Sequence, residues 1–130
     1  MPLLAVTRLR VRSLHFVPQF LWLAVRSNRQ ARHAEGCLGT GIRREKFLVF
    51  WTRTAWRDEA AMRAYMTSGV HRTAMPKLQH WCDEASVAHW NDTAGQLPDW
   101  KLVHEKMRHE GRLSRVRHPS QAQTQGVTAP

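Results

Sequence analysis

The sequence predicts an α+β domain of ferredoxin-like topology, ordered β-α-β-β-α-β, with helices on one face of the sheet and an added C-terminal helix. Three observations predict it. Residues 3–12 and 85–90 alternate with a period of two, and 47–56 carry bulky apolar residues on both strand faces. Residues 16–34 and 58–81 instead repeat their apolar positions at helical spacing. The whole is 130 residues long, which sets one domain and a modest core.

The first strand places Leu3, Ala5, Thr7, Leu9 and Val11 on one face and Arg8, Arg10 and Arg12 on the other. The helix that follows carries Val17, Phe20, Leu21, Ala24, Asn28 and Ala31 on one stripe. Pro18 fits only its first turn and Gly36 is placed to end it. Cys37 to Arg44 reads as a second strand, and Arg43 to Lys46 as a charged turn. Phe47 to Trp56 is the strongest strand signal, with Phe47, Val49 and Trp51 on one face and Leu48, Phe50 and Trp56 on the other. A strand apolar on both faces is covered on both.

Asp58 is an N-cap for a helix through Ala61, Met62, Tyr65 and Met66, with Glu59 favourable in its first turn. Ser68-Gly69 breaks it, helix resumes near His71, and Pro76 should distort it locally. Ala85 to Trp90 is the fourth strand, Asp99 caps a helix from Trp100 to about Glu110, and Gly111 ends it. The expected division is a barrel-forming domain over 1–92, a linker and basic helical tail over 93–118, and a disordered Ser/Gln/Thr-rich end over 119–130. The bare sheet face of this arrangement calls for a partner, and a homodimer supplies one.

The formal charge of +10 is uneven: residues 1–50 hold nine Lys/Arg against two acids. Such a surface attracts anions without specificity, but no nucleic-acid-binding signature accompanies it, so nucleic acid is not the expected partner. Cys37 and Cys82 have neither a CxxC nor a zinc spacing, and the histidines show none either, so no metal is assigned. Free thiols, the absence of a secretory leader and an apolar stretch at Phe16–Val25 too short to span a bilayer predict a cytoplasmic protein.

The segment FWTRTAWRDEAAMRAYMTSGVHRTAMPKL, Phe50 to Leu78, resembles the antibiotic-biosynthesis-monooxygenase domain of the dimeric α+β barrel superfamily. The shared features are a strand ending in Trp, an acidic helix start and a Ser-Gly-x-His-x-x-Ala-Met run. Trp81 to Val87, Leu97-Pro98-Asp99-Trp100 and His118-Pro119-Ser120 resemble an uncharacterised bacterial family related to spheroidene monooxygenase. The resemblance implies one pocket per subunit between helices and sheet. It also implies oxygenase chemistry that is cofactor-free in some members and haem-linked in others. Where the haem-degrading branch has Asn, Trp and His, this sequence has Thr7, Tyr65 and Met75, which argues against that route.

His71, beside the helix break and the expected pocket, is the first catalytic candidate, as a proton shuttle. Tyr65, the chain's one tyrosine, is the second, to orient a substrate oxygen. Thr7, Trp22, Trp51, Trp56, Met75 and Trp81 are the expected pocket residues, suited to a flat aromatic or polyene ligand. The first functional reading is a monooxygenase-like enzyme acting on a hydrophobic small molecule. A non-enzymatic interaction domain with a basic surface, or a haem-binding member of the superfamily, are the alternatives.

Overall fold

The alternating apolar residues near the N-terminus form β1 (Leu3–Val11). It is the middle strand of a sheet ordered β2-β3-β1-β4-β5, with every pairing antiparallel. Strands β2 (Cys37–Lys46), β3 (Val49–Trp56) and β4 (Cys82–Asn91) complete the four main strands. A two-residue β5 (Arg112–Leu113) pairs with Ser86 and Val87 at the edge of β4. Helices α1 (Val17–His33), α2 (Glu59–Met66) and α3 (Gly69–Trp81) cover one face. The computed structural model describes residues 1–129.

Local chemistry sets the helix ends. Pro18 lies in the first turn of α1. Asp58 accepts from the Ala61 amide at 2.9 Å, satisfying one of the donors a helix start leaves open. Gly36 has φ +84°, and a Cβ there would approach Ala61 Cβ to 2.6 Å, so only glycine lets the chain turn this close to α2. The break at Ser68-Gly69 is real, with Gly69 at φ +56°. Pro76, expected to distort the second helical run, is accommodated inside the continuous helix α3.

The β2–β3 turn is not the charged Arg43–Lys46 segment. Strand β2 runs through it to Lys46, and the reversal falls at Phe47-Leu48 before β3 begins. Phe47 is therefore not a strand residue; it is exposed at the turn, with the Arg44 guanidinium 4.8 Å from its ring centroid. A cation–π contact favours that arrangement over a charged turn flanked by an apolar strand end.

The second sheet face is not bare. Helix α4 (Trp100–Glu110) lies across it and buries Val103 and Met107 against Val6, Val49, Trp51 and Ala88. Asp99 caps α4 by accepting from the Leu102 amide at 2.8 Å. The face expected to need a twin protomer is thus covered, at Val6, Val49, Trp51 and Ala88, by the chain's own helix. The same cover explains why Arg8 is not on a solvated stripe: it is buried and donates to Glu84 at 2.7 Å.

Residues 119–129, expected to be disordered, dock on the same side. Ser120 starts a single helical turn, α5 (Gln121–Thr124), and its hydroxyl donates to Glu84 at 2.7 Å. Gln123 is buried; its side chain accepts from the Ala85 amide at 3.2 Å and donates to the Ser114 carbonyl at 2.8 Å. Polar composition misled here because these side chains bond specific backbone groups instead of water. No helix among the described residues is long and apolar enough to cross a membrane.

Candidate active site

Between the helical layer and the sheet lies a cavity of about 280 Å³. Its floor is the helix-facing side of the sheet: Ala5, Thr7 and Leu9 of β1, Thr52, Thr54 and Trp56 of β3, and Ala85, Val87 and His89 of β4. Phe20, Leu23, Ala24 and Ala31 of α1 and Ala74, Met75 and Leu78 of α3 form its roof. Ser114, Arg115 and Val116 close one side. That strap is held by the Ser114 amide donating to the Ala85 carbonyl and the Arg117 amide to the Gln79 carbonyl, each at 2.9 Å.

His71 lines the cavity from the first turn of α3. Its Nδ1 lies 3.2 Å from the Met66 carbonyl oxygen. A carbonyl only accepts, so Nδ1 carries the proton and Nε2 is left with its lone pair. Burial pushes the imidazole below its ordinary pKa, partly offset by the Met66 bond, so the ring is neutral at pH 7. A neutral imidazole with a free Nε2 lone pair is a proton acceptor.

Gln30 fixes that geometry. Its side-chain NH₂ donates to the Ser68 carbonyl at 2.9 Å, and its oxygen accepts from the His71 amide at 3.1 Å. One amide thus spans the α2–α3 break and ties His71 to α1. Gly69 gives this contact room, since a Cβ there would stand 3.1 Å from the Gln30 amide.

Trp56, Tyr65 and His71 form a ladder along the wall. Trp56 and Tyr65 stack with ring centroids 5.1 Å apart, and Tyr65 and His71 lie 4.8 Å apart. Trp56 Nε1 donates to the Thr54 hydroxyl at 2.8 Å. The Tyr65 hydroxyl donates to the Ser27 carbonyl at 3.1 Å. Burial raises the Tyr65 pKa far above the ordinary phenol value, so it remains a hydrogen-bond donor committed to α1.

Of the predicted site residues, the structure brings Thr7, Trp56, Tyr65, His71 and Met75 together. Three tryptophans are elsewhere. Trp51 is fully buried on the opposite sheet face, stacked on His104 at 4.1 Å, with its indole N–H on Glu45. Trp22 is 65% exposed on the outer side of α1. Trp81 ends α3 and packs beside Leu9, Val11 and Phe20, outside the cavity lining. Phe50 precedes Thr52 on the cavity face, so the period of two alone puts Trp51 on the other side. His89, one of the histidines without a metal-ligand spacing, lines the floor. Burial, followed by the Arg112 charge, holds it below the ordinary histidine value despite Glu59. Its odd-numbered register with Val87 was the available signal. Among the described residues, no three His, Cys, Asp or Glu side chains gather as a metal ligand set.

The antiparallel sheet roofed by helices over a cavity defines a ferredoxin-like α+β protein, and residues 2–77 match one family model: antibiotic biosynthesis monooxygenase. The chain belongs to that family. Three solved structures are similar. Rv0793 from Mycobacterium tuberculosis has a TM-score of 0.66 at 12% identity, covering 71% of this chain and 95% of its own. A conserved protein from Methanosarcina mazei Go1 has 0.63 at 18%, covering 72% and 94%. SnoaB, a cofactor-independent oxygenase from Streptomyces nogalater, has 0.59 at 15%, covering 70% and 92%. At these identities the likeness establishes the fold. No curated protein matches the chain. The family match ends before β4, so His89, α4 and the strap lie outside it.

Proposed function

We propose that the protein binds a flat, hydrophobic phenol or anthrone-like molecule in this cavity and oxidises it with dioxygen, without a cofactor. The observation that carries the reading is His71: a neutral imidazole, held by the Met66 carbonyl and Gln30, lining a cavity whose other residues are mainly apolar, with threonines, His89 and Arg115 among them. About 280 Å³ lies just below the usual range of ligand sites, roughly 300–1,000 Å³, which favours a ligand of about two or three fused rings over a haem macrocycle. No step is therefore assigned to haem, and a polyene would enter only in part.

His71 Nε2 takes the acidic proton of the bound ring, from a hydroxyl or an activated ring CH₂. The anion delivers electrons from a ring carbon to dioxygen, and a C–O bond forms. The imidazolium returns its proton to the resulting peroxide. Loss of water then converts that carbon to a carbonyl. One oxygen atom enters the product, the other leaves as water, and the substrate itself is the reductant. The apolar walls raise the energy of protonated His71 and keep bulk water from the anion.

The test is oxygen uptake and product mass with hydroxynaphthalenes and anthrones, beside quenching of Trp fluorescence as a measure of binding. Uptake with gain of one carbonyl oxygen is expected, reduced about 10²-fold or more in His71→Ala, the usual weight of a general base. Binding without turnover would overturn the chemistry, and absence of both would overturn the site.

A further inference from the structure

Helix α1 has two exposed characters and no acid. On its outer side Leu21, Trp22 and Val25 are 40%, 65% and 60% exposed, and Leu14 in the preceding turn is 56% exposed. Arg26, Arg29, Arg32 and His33 follow on the same helix, whose 17 residues contain no Asp or Glu. Arg26 lies over the Trp22 ring, 5.7 Å from its centroid, so the two characters meet. A groove of about 600 Å³ opens beside them between α1 and α2, lined by Arg26, Arg29 and His33. The acid on its rim, Glu35, is drawn toward Arg57 at 3.8 Å.

The geometry points to this face as a docking surface for an anionic lipid bilayer. Leu14, Leu21, Trp22 and Val25 enter the interface, where an indole is well accommodated, and Arg26, Arg29 and Arg32 meet lipid phosphates. Charge complementarity selects this occupant. A second copy placed symmetrically on the face would set arginines against arginines, with no acid of α1 to meet them. A nucleic-acid backbone would pair with the arginines and leave the exposed Leu21, Trp22 and Val25 without a role. The inner side of the same helix roofs the cavity through Phe20, Leu23 and Ala24, so docking brings an apolar ligand's source to the cavity wall.

The experiment is flotation of the full chain with two vesicle types, phosphatidylcholine alone and an equal mixture of phosphatidylcholine and phosphatidylglycerol. Binding is expected to the anionic vesicles only, with a blue shift of Trp fluorescence, and release as salt is raised. Each of Arg26→Gln, Arg29→Gln and Arg32→Gln should weaken binding about fivefold, the weight of one cation near an anionic surface. Trp22→Ser should abolish the blue shift. Equal binding to both vesicle types, or a triple Gln variant that melts normally and binds like the parent, would overturn the proposal. A concentration-dependent doubling of mass that Trp22→Ser removes would assign the face to a second copy instead.

Discussion

At the scale of single residues, the proposed reaction rests on His71 as its base, and Gln30 places that ring. His71 titrates below its ordinary value because it is buried, so the unfolded chain takes up its proton first as pH falls. Stability contributed by the neutral ring is intact above about pH 6.5, the unfolded value, and is lost as pH drops from there toward the folded pKa. His71→Gln should therefore flatten the fall in melting temperature between neutral pH and pH 5. A base that is neutral down to a depressed pKa should also keep the rate level through pH 7, with decline only on the acid side. Gln30→Ala loses bonds to the Ser68 carbonyl and His71 amide. It should cost about 1 kcal/mol in denaturant unfolding, and turnover should fall further than stability predicts. Tyr65→Phe removes only the bond to Ser27 and should cost about 1 kcal/mol while leaving turnover near the parent. Loss of turnover in that variant would return the hydroxyl to the mechanism. None of these partners is visible in the sequence: Gln30 meets His71 across 41 positions, and no period or motif encodes that meeting.

At the scale of elements, helix caps and strand periods carried well from sequence to structure. Asp58, Asp99 and Gly36 act where their side chains or lack of one require it, because capping is local chemistry. The errors came where a local preference met a distant partner. Residues 43–46 look like a turn by charge, but pairing with β3 extends the strand to Lys46. Helix α4 reads as a short amphipathic appendage, yet its Val103 and Met107 are as buried as any core residue. Met107→Ala should thus cost about 2–5 kcal/mol, the range for a buried large-to-small change, measured by denaturant unfolding. A loss under about 1 kcal/mol would show that α4 does not hold the second sheet face.

At the scale of the molecule, one chain covers both faces of its sheet. Val49–Trp56 is sandwiched, with α1 and α3 against one face and α4 with the docked tail against the other. Removing residues 93–130 should expose Val6, Trp51 and Ala88, and the truncated chain should bind hydrophobic dyes and associate at concentrations where the full chain does not. The buried Arg8–Glu84 pair bridges β1 and β4, and Ser120 of the docked tail donates to the same carboxylate. Burial opposes the Glu84 charge, but Ser120, Arg8 and Arg10 together hold its carboxyl below the ordinary range. A buried pair with three donors is costly to break from one side, so Arg8→Ala should loosen the tail and lower stability by about 3–5 kcal/mol.

The decisive measurement is the long-range ¹H–¹⁵N spectrum of the His71 imidazole in the full chain, followed through a pH titration. The proton should sit on Nδ1 at pH 7, the ring should titrate below the ordinary histidine value, and the Nε2 signal should move when an anthrone is added. A ring protonated on Nε2, or charged at pH 7, would leave the cavity without its base and contradict the account.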